Sequence, residues 1–335
     1  MAEALKEQVV TIFGGSGFIG RHVVRALAHR GYRVRPAVRR PDLAGYLQTL
    51  GMAGQVLPVQ ANLRYRWSVD RAVEGASAVV NLVGILAEGG RQSFEAVQAF
   101  GARAVAEATR GAGIGTFVHV SAIGADANSP SSYARTKAKG EAAVREVVPE
   151  AVIMRPSLVF GPEDGFFNLF GSLARSLPFL PVIGGDTKAQ PVFVGDVATA
   201  IADAVEAGIR RTAHFSDPSP VKAGTTYELG GPEVKTFHEL IALVNEQTGR
   251  KRPLIGIPAG LAKLQASVLQ LLPNPMLTVD QVKLLQHDNV VSAAAAAEGR
   301  TLEGLGIAPT SLAAILPTYL TQYRPHGQYD TRLTA

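Results

Sequence analysis

The sequence predicts an α/β chain built on a doubly wound parallel sheet, and three observations predict it. The first is local. An apolar run, Val9–Phe13, breaks into Gly14-Gly15-Ser16-Gly17-Phe18-Ile19-Gly20, then into a helix-patterned stretch with Val23, Val24, Leu27 and Ala28 on one side, then into a second strand at Tyr32–Val38. The second is that strand-like and helix-like segments keep alternating as far as Arg155, the pattern of repeated β-α units. The third is size: 335 residues, 47% of them apolar, suffice for one large α/β domain and a smaller companion.

Taken in order, Val9–Phe13 reads as a short buried strand. The glycine turn after it suits a dinucleotide. A tight turn needs residues without Cβ, a pyrophosphate needs bare backbone N–H groups close by, and the following helix N-terminus supplies partial positive charge. Strand, glycine turn, helix and strand together make the order of a Rossmann-type site, with Gly14, Gly15, Ser16, Gly17, Phe18, Ile19 and Gly20 around the pyrophosphate. The alternative is a glycine-rich turn that serves packing only.

Which nucleotide follows from the end of the second strand. A site for NAD usually carries an acidic residue about twenty positions past the turn, to hold the ribose 2′-OH. Here the strand ends in Ala37-Val38-Arg39-Arg40, with no carboxylate until Asp42. A guanidinium grips a 2′-phosphate that a carboxylate would repel. NADP(H), in the form NADPH, is therefore the expected cofactor, with Arg39 the first candidate for the 2′-phosphate, Arg40 the second, and Arg21 assisting from the helix start. The other reading leaves Arg39 and Arg40 as solvated charges and makes Asp42 the N-cap of the next helix.

Further along, Gln55–Gln60 reads as a strand, Arg66–Glu74 as a helix, Ala78–Ile85 as a strand, Ser93–Arg110 as a long helix, Thr116–Ser121 as a strand, Tyr133–Val147 as a helix and Ala151–Arg155 as a strand. Cofactors in such sheets sit at the C-terminal strand ends. That places Asn62 and Leu63 beside the adenine, and Leu82, Val83 and Gly84 behind the nicotinamide ribose; each could equally be ordinary strand-end packing. Tyr133 and Lys137 lie four apart on a helix and so share a face. The ammonium is expected to stabilise the phenolate, to lower the Tyr133 pKa, and to hold the cofactor ribose. The alternative is a surface helix on which Tyr133 covers apolar atoms and Lys137 is solvated.

Composition excludes several classes. Net charge is +5 without a long basic run, so no nucleic-acid partner is expected. The absence of cysteine rules out disulfides and thiol nucleophiles. The seven histidines are scattered, so no metal site is expected. No apolar run reaches roughly 18 residues, so no spanning helix is expected. The opening MAEALKEQ is too short and too acidic for a signal or transit peptide, and the product is expected to stay in the compartment where it is made.

The motifs GGSGFIG, Tyr133-Ala134-Arg135-Thr136-Lys137, Arg155-Pro156-Ser157-Leu158-Val159-Phe160-Gly161-Pro162 and Pro191-Val192-Phe193-Val194-Gly195-Asp196-Val197 together resemble the extended short-chain dehydrogenase/reductase superfamily, over about residues 8–260. That resemblance implies Tyr133 as proton donor or acceptor and Lys137 as the ribose-binding group that tunes it. It also implies Ser121, Pro156, Ser157 and Leu158 among the cofactor-lining residues. Two positions depart from the pattern. Gln98 stands where the family has an Asn holding a water relay, and the usual catalytic hydroxyl falls nearer Ile123 than Ser121. A narrower resemblance, through residues 119–170 and again from Met276 to Val291, is to the nucleotide-binding accessory subunits of respiratory complex I, atypical members of the same superfamily. It implies a tightly held NADPH that serves structure. It also implies docking among other complex I subunits of the peripheral arm near the quinone site, with membrane-surface contact. The location implied is the cytoplasmic face of a bacterial inner membrane, held peripherally through the complex, with the cytoplasm as the alternative.

Residues 1–156 are thus expected to form the Rossmann-type core, 157–323 a smaller C-terminal α/β cap and docking region, with core strands returning near 190–215, and 324–335 a polar tail. Two apolar helical faces in the second region face a partner, lipid or the chain's own core: Phe166, Phe167, Leu169, Phe170, Leu173 and Leu177, then Leu261, Leu264, Val268, Leu271 and Leu272 before Pro273-Asn274-Pro275. Ala293–Ala297 reads as helix. Two functions follow. The preferred one is a non-catalytic, NADPH-holding subunit of complex I, in which Tyr133 and Lys137 are vestigial. The other is a stand-alone NADPH-dependent reductase or epimerase using Tyr133 and Lys137 on a small carbonyl or sugar-nucleotide substrate.

Overall fold

The computed structural model describes residues 8–90, 92–215, 219–270, 275 and 277–327. The chain forms two compact units, one from the segment through Pro156 with Gly195–Leu229 and Ala293–Ile307, the other from Ser157–Val194, Gly230–Ser292 and the segment from Ala308. The chain crosses between them repeatedly: Gly195–Leu229 returns to the first unit, as a helix followed by a strand rather than as strands near 190–215, and Ala293–Ile307 returns again. Most of the opening octapeptide, Leu271, Leu272, Pro273, Asn274 and Met276, and residues 328–335 of the tail lie outside the described residues.

The first unit holds a seven-stranded sheet. Its strands are β1 (Val9–Phe13), β2 (Arg33–Val38), β3 (Val59–Gln60), β4 (Ala78–Asn81), β5 (Phe117–Val120), β6 (Val152–Pro156) and β7 (Thr226–Leu229). Their order is β7-β6-β5-β4-β1-β2-β3, and every neighbouring pair is parallel. The order reverses between β1 and β4, the topological switch point at which such sheets take ligands. The strands are shorter than their apolar runs. β3 in particular keeps only Val59 and Gln60, because upstream the chain touches β2 through a single bridge, Val34 to Val56.

Four helices run between the strands: α1 (Phe18–His29), α2 (Arg66–Val73), α3 (Gly101–Gly111) and α4 (Ser132–Val147); α5 (Val194–Thr212) precedes β7. On one face Phe13, Ala37, Val79 and Phe117 form a buried core with Val69 and Val73 of α2, Val105 of α3 and Val144 of α4. Val10 and Ile12, which by strand alternation face the other way, are fully buried too. That side carries α1 and α5, tied by Arg30 to Asp203 at 2.7 Å. The long helix expected over Ser93–Arg110 is broken in kind: Glu95–Phe100 winds as a π-helix before α3 begins. A π-turn inserts one residue per turn and re-aims the side chains beside it.

The second unit pairs short strands, Val159–Phe160 with Val192–Phe193, Leu180–Ile183 with Leu254–Ile257, and Lys188–Ala189 antiparallel with Lys235–Thr236. Its core gathers Phe160, Phe167, Phe237, Leu240, Val244, Leu316 and Leu320. Phe166, Phe167 and Phe170 pack into this core and its neighbour, so the helix Phe167–Ser176 turns its aromatic face to its own unit rather than to a partner. Buried Asp164 organises the start of that helix, accepting bonds from the Phe167 and Asn168 amides and from the Tyr319 hydroxyl. Burial raises the carboxyl above the usual carboxylate range. Three helix ends are capped by arginines: Arg252 donates to the Ala174 carbonyl at 3.0 Å, Arg324 to Gln247 at 3.0 Å, and Arg250 to Tyr323 at 2.9 Å. The helix Ala259–Leu269 inverts the expected pattern. It buries Ala262 and Ala266 and leaves Leu261, Leu264 and Val268 more than half exposed.

Candidate nucleotide site

The turn between β1 and α1 is built by glycines for separate reasons. Gly14 takes φ +81°, the left-handed region that favours glycine, and its N–H donates to Ala37 at 3.3 Å. Gly20 lies inside α1, where a Cβ would collide with the Gly14 carbonyl oxygen and stand 2.7 Å from the Gly15 Cα. The helix therefore starts in direct backbone contact with the turn. At its N-cap, Gly17 supplies no side-chain cap, and no acidic residue occupies the first turn. The leading amides and the positive end of the helix dipole thus meet no negative group of the helix itself, which is what an incoming pyrophosphate requires. The glycine-lined cradle fits the dinucleotide that the motif implies.

The second-strand arginines are not equivalent. Arg40 is held by Asp42, with Nη2 to Oδ2 at 2.7 Å, and that bond and charge hold the Asp42 carboxyl below its usual range. Asp42 thus pairs with Arg40 and sits inside the 3-10 turn Pro41–Leu43 rather than capping it. Arg39 is exposed at the end of β2 and makes no ion pair among the described residues. One neighbour of the turn lay outside the sequence reading. Tyr46 donates its hydroxyl to the Ser16 carbonyl at 2.8 Å, and the Arg21 guanidinium sits 5.4 Å over its ring. An exposed Tyr in a loop carries no periodic signal, so only the tertiary contact reveals it.

Around the sheet edge, Asn62 folds into a turn, its Oδ1 accepting from the Arg64 amide at 3.2 Å. Leu63 packs on the first core, so closely to α3 that a Cβ at Gly101 would stand 2.8 Å from its Cδ1. The Leu82 amide donates to Phe13 at 2.9 Å, which sets the chain after β4 beside the glycine turn. The Val83 amide donates to the Asn81 Oδ1 at 3.1 Å, and a Cβ at Gly84 would be 3.2 Å from the Lys137 Nζ.

Asn81 also fixes a tautomer. Because its Oδ1 faces a backbone N–H, its Nδ2 donates to the His119 Nδ1 at 3.2 Å, and the ring hydrogen must sit on Nε2. Burial, with the Lys137 charge adding, pushes the imidazole down to about 3, so it stays neutral. His119 Nε2 and the Ser121 Oγ, two residues on, are both buried without a hydrogen-bond partner among the described residues.

Tyr133 and Lys137 do share a face, with Nζ 6.0 Å from the ring centroid. The expected tuning runs the wrong way, however. Burial pushes the Tyr133 hydroxyl up to about 12, and the Lys137 ammonium, itself pushed down to about 8 by burial, donates to the Val120 carbonyl at 3.2 Å. Desolvation outweighs the charge at this separation. Gln98, at the relay position, is buried in the π-turn and committed at both ends. Its Nε2 donates to the Ile85 carbonyl at 2.8 Å, and its Oε1 accepts from the Thr136 hydroxyl at 2.9 Å. The Ile123 amide donates to Pro156, which closes β6 against Leu229 of β7. Ser157 and Leu158 belong to the second unit, where the Ser157 hydroxyl donates to Asn289 at 2.8 Å and Leu158 packs on the aromatic core. No metal-binding cluster exists among the described residues, and no helix there is long and apolar enough to cross a membrane.

Comparison with known proteins agrees with this geometry. Residues 14–161 match the NAD(P)H-binding family. The chain is 35% identical over 331 residues to NADH dehydrogenase (ubiquinone) 1 alpha subcomplex subunit 9, mitochondrial, of Arabidopsis thaliana, covering 95% of this chain and 79% of that one. A ceramide reductase of Caulobacter vibrioides is 39% identical over 194 residues, covering 58% of this chain and 59% of that one. The solved structure of DesIV, a dTDP-glucose 4,6-dehydratase from Streptomyces venezuelae with NAD and TYD bound, shares the fold with TM-score 0.67 at 20% identity, covering 94% and 97% of the two chains. The seven-stranded parallel sheet, the glycine cradle and the near full-length likeness converge: the chain belongs to the NADH dehydrogenase alpha subcomplex subunit 9 family and carries an NAD(P)H-binding domain.

Proposed function

We propose that this protein is an NADP(H)-holding accessory subunit of a respiratory NADH:quinone oxidoreductase, in which the nucleotide serves structure rather than turnover. The observation that carries the reading is the 35% identity, over nearly the whole chain, to a subunit of that complex. The site chemistry supports it. The Tyr133 phenol is driven away from ionisation, Gln98 is locked between Ile85 and Thr136, and Ile123 offers no hydroxyl. A nucleotide bound only by the folded state adds RT ln(1 + [L]/Kd) of stability and so acts as a core element.

In this reading the turn Gly14–Gly20 cradles the pyrophosphate, the leading amides of α1 donating to it, and Arg39 holds the 2′-phosphate of NADPH. Arg40 is a weaker candidate because Asp42 holds it. Asn62 and Leu63 flank the adenine. Leu82, Val83, Gly84 and Ser121 line the nicotinamide end, with Tyr133, Lys137 and Pro156 beside them. The partners are subunits of the peripheral arm near the quinone site, and the location is the cytoplasmic face of a bacterial inner membrane with contact to its surface. On a native gel of solubilised membranes the chain is expected to comigrate with NADH:quinone oxidoreductase activity. Migration only as a free monomer overturns the proposal.

The likeness to a ceramide reductase favours a second reading, an NADPH-dependent carbonyl reductase in which Tyr133 protonates the alkoxide. Tyr133→Phe separates the two. The subunit reading expects unchanged assembly and nucleotide content, whereas the reductase reading expects loss of a measurable carbonyl-reduction rate.

A further inference from the structure

The segment after β2 contributes more to the cofactor edge than its arginines. Gly14 is bonded to Ala37, and a Cβ at Gly15 would stand 2.8 Å from the Pro36 Cβ, so β2 runs directly beside the glycine turn and Arg39 leaves the sheet at its rim. Tyr46 reaches back over that rim from the 3-10 segment Gly45–Leu50. Its hydroxyl is anchored on the Ser16 carbonyl at 2.8 Å, while its ring lies under the Arg21 guanidinium, 5.4 Å from the centroid. Arg21, one residue past Gly20, reaches the carbonyls of the turn, at 3.4 Å from Nε to Gly17 and 3.4 Å from Nη2 to Ser16. Both are near the long limit of a hydrogen bond.

A guanidinium resting on an aromatic face keeps its fork in one plane and loses less rotamer freedom when it binds. We propose that Tyr46 is a positioning residue for NADPH: it holds Arg21 at the rim of the glycine turn, so that Arg21 and Arg39 close on the 2′-phosphate from two different elements. This rests on the NADP(H) reading above and deepens it. Tyr46 touches the phosphate only through Arg21, so its effect is confined to nucleotides that carry the 2′-phosphate. Tyr46 is 43% exposed, and its truncation leaves the buried core intact.

The experiment compares binding of NADPH, NADH, adenosine 2′,5′-bisphosphate and 5′-AMP to the full chain by calorimetry, for wild type, Tyr46→Ala, Tyr46→Phe, Arg21→Gln and the Tyr46→Ala/Arg21→Gln double variant. Tyr46→Ala is expected to weaken NADPH and the bisphosphate by about tenfold, and NADH and 5′-AMP by less than about twofold. Tyr46→Phe, which keeps the ring, is expected to stay within about threefold of wild type. In the Arg21→Gln background, Tyr46→Ala is expected to cost nothing further, because the residue it positions is gone. Equal weakening of all four ligands by Tyr46→Ala makes Tyr46 a latch on the turn and overturns the proposal. So does a full effect of Tyr46→Ala in the absence of the Arg21 guanidinium. A wild-type chain that does not prefer NADPH overturns the NADP(H) reading itself, an outcome visible before any variant is made.

Discussion

Arg40 and Asp42 neutralise each other across two residues, with Nε to Oδ1 at 3.0 Å and Nη2 to Oδ2 at 2.7 Å. The pairing divides the double arginine at the end of β2 into one occupied group and one available group. Arg39→Glu is therefore expected to raise the Kd for NADPH by at least about tenfold while changing that for NADH by less than about twofold, and Arg40→Gln to change either by less than about twofold. Fluorescence titration of the reduced nucleotides checks both. Equal losses with NADPH and NADH in Arg39→Glu would mean that no 2′-phosphate is bound there.

Gly20→Ala adds one methyl group where the Gly14 carbonyl and the Gly15 Cα already stand. Backbone cannot swing aside as a side chain does, so the expected cost is about 2–3 kcal/mol, the scale of overpacking a rigid core. Urea unfolding of the full chain measures it, and nucleotide content should fall with it because the displaced turn is the cradle.

Gln98→Ala is expected to destabilise by about 1–3 kcal/mol, because the Ile85 carbonyl loses its donor inside the protein. Thr136 suffers less, since its hydroxyl can turn to the Ser132 carbonyl at 2.8 Å. Gln98→Asn restores the residue type of the short-chain dehydrogenases but not their chemistry, and no carbonyl-reduction rate is expected to appear in a coupled NADPH assay.

Two buried bases set opposite flanks of the stability profile. His119 is held at about 3 in the fold against an ordinary value of 6.5. Between those values the unfolded chain binds a proton that the folded chain refuses, so stability falls as pH falls through that window, by at most about 1.4 kcal/mol per pH unit. Lys137 is held at about 8 against 10.5, so its penalty is full below pH 8 and is relieved as pH rises towards 10.5. Denaturant midpoints across pH are expected to show both slopes. His119→Gln should flatten the acid one and Lys137→Met the alkaline one. Unchanged slopes in these variants would assign the pH dependence to other groups.

The sheet, the glycine turn and the Tyr133–Lys137 face were legible because each rests on a local period: apolar runs, residues without Cβ, a spacing of four. What escaped depends on contacts between distant segments. The π-turn at Glu95–Phe100 has the composition of ordinary helix, and only the docking of Gln98 between Ile85 and Thr136 shows its purpose. The upward shift of Tyr133 arises from burial that a helical wheel cannot register. Tyr46 joins a loop to a carbonyl thirty residues earlier. The return of the chain to the core after residue 190 was legible, but the edge strand falls later, at Thr226–Leu229, and the second return, Ala293–Ile307, carries no periodic signal.

The helix Ala259–Leu269, with methyl groups inward and Leu261, Leu264 and Val268 outward, bears on how the protein behaves in a tube. Water must hydrate three branched aliphatic side chains standing along one side of a rod, and two molecules that meet there release it. Self-association at high concentration is the expected signature, relieved by mild detergent or by Leu264→Lys, with the sedimentation coefficient as the gauge.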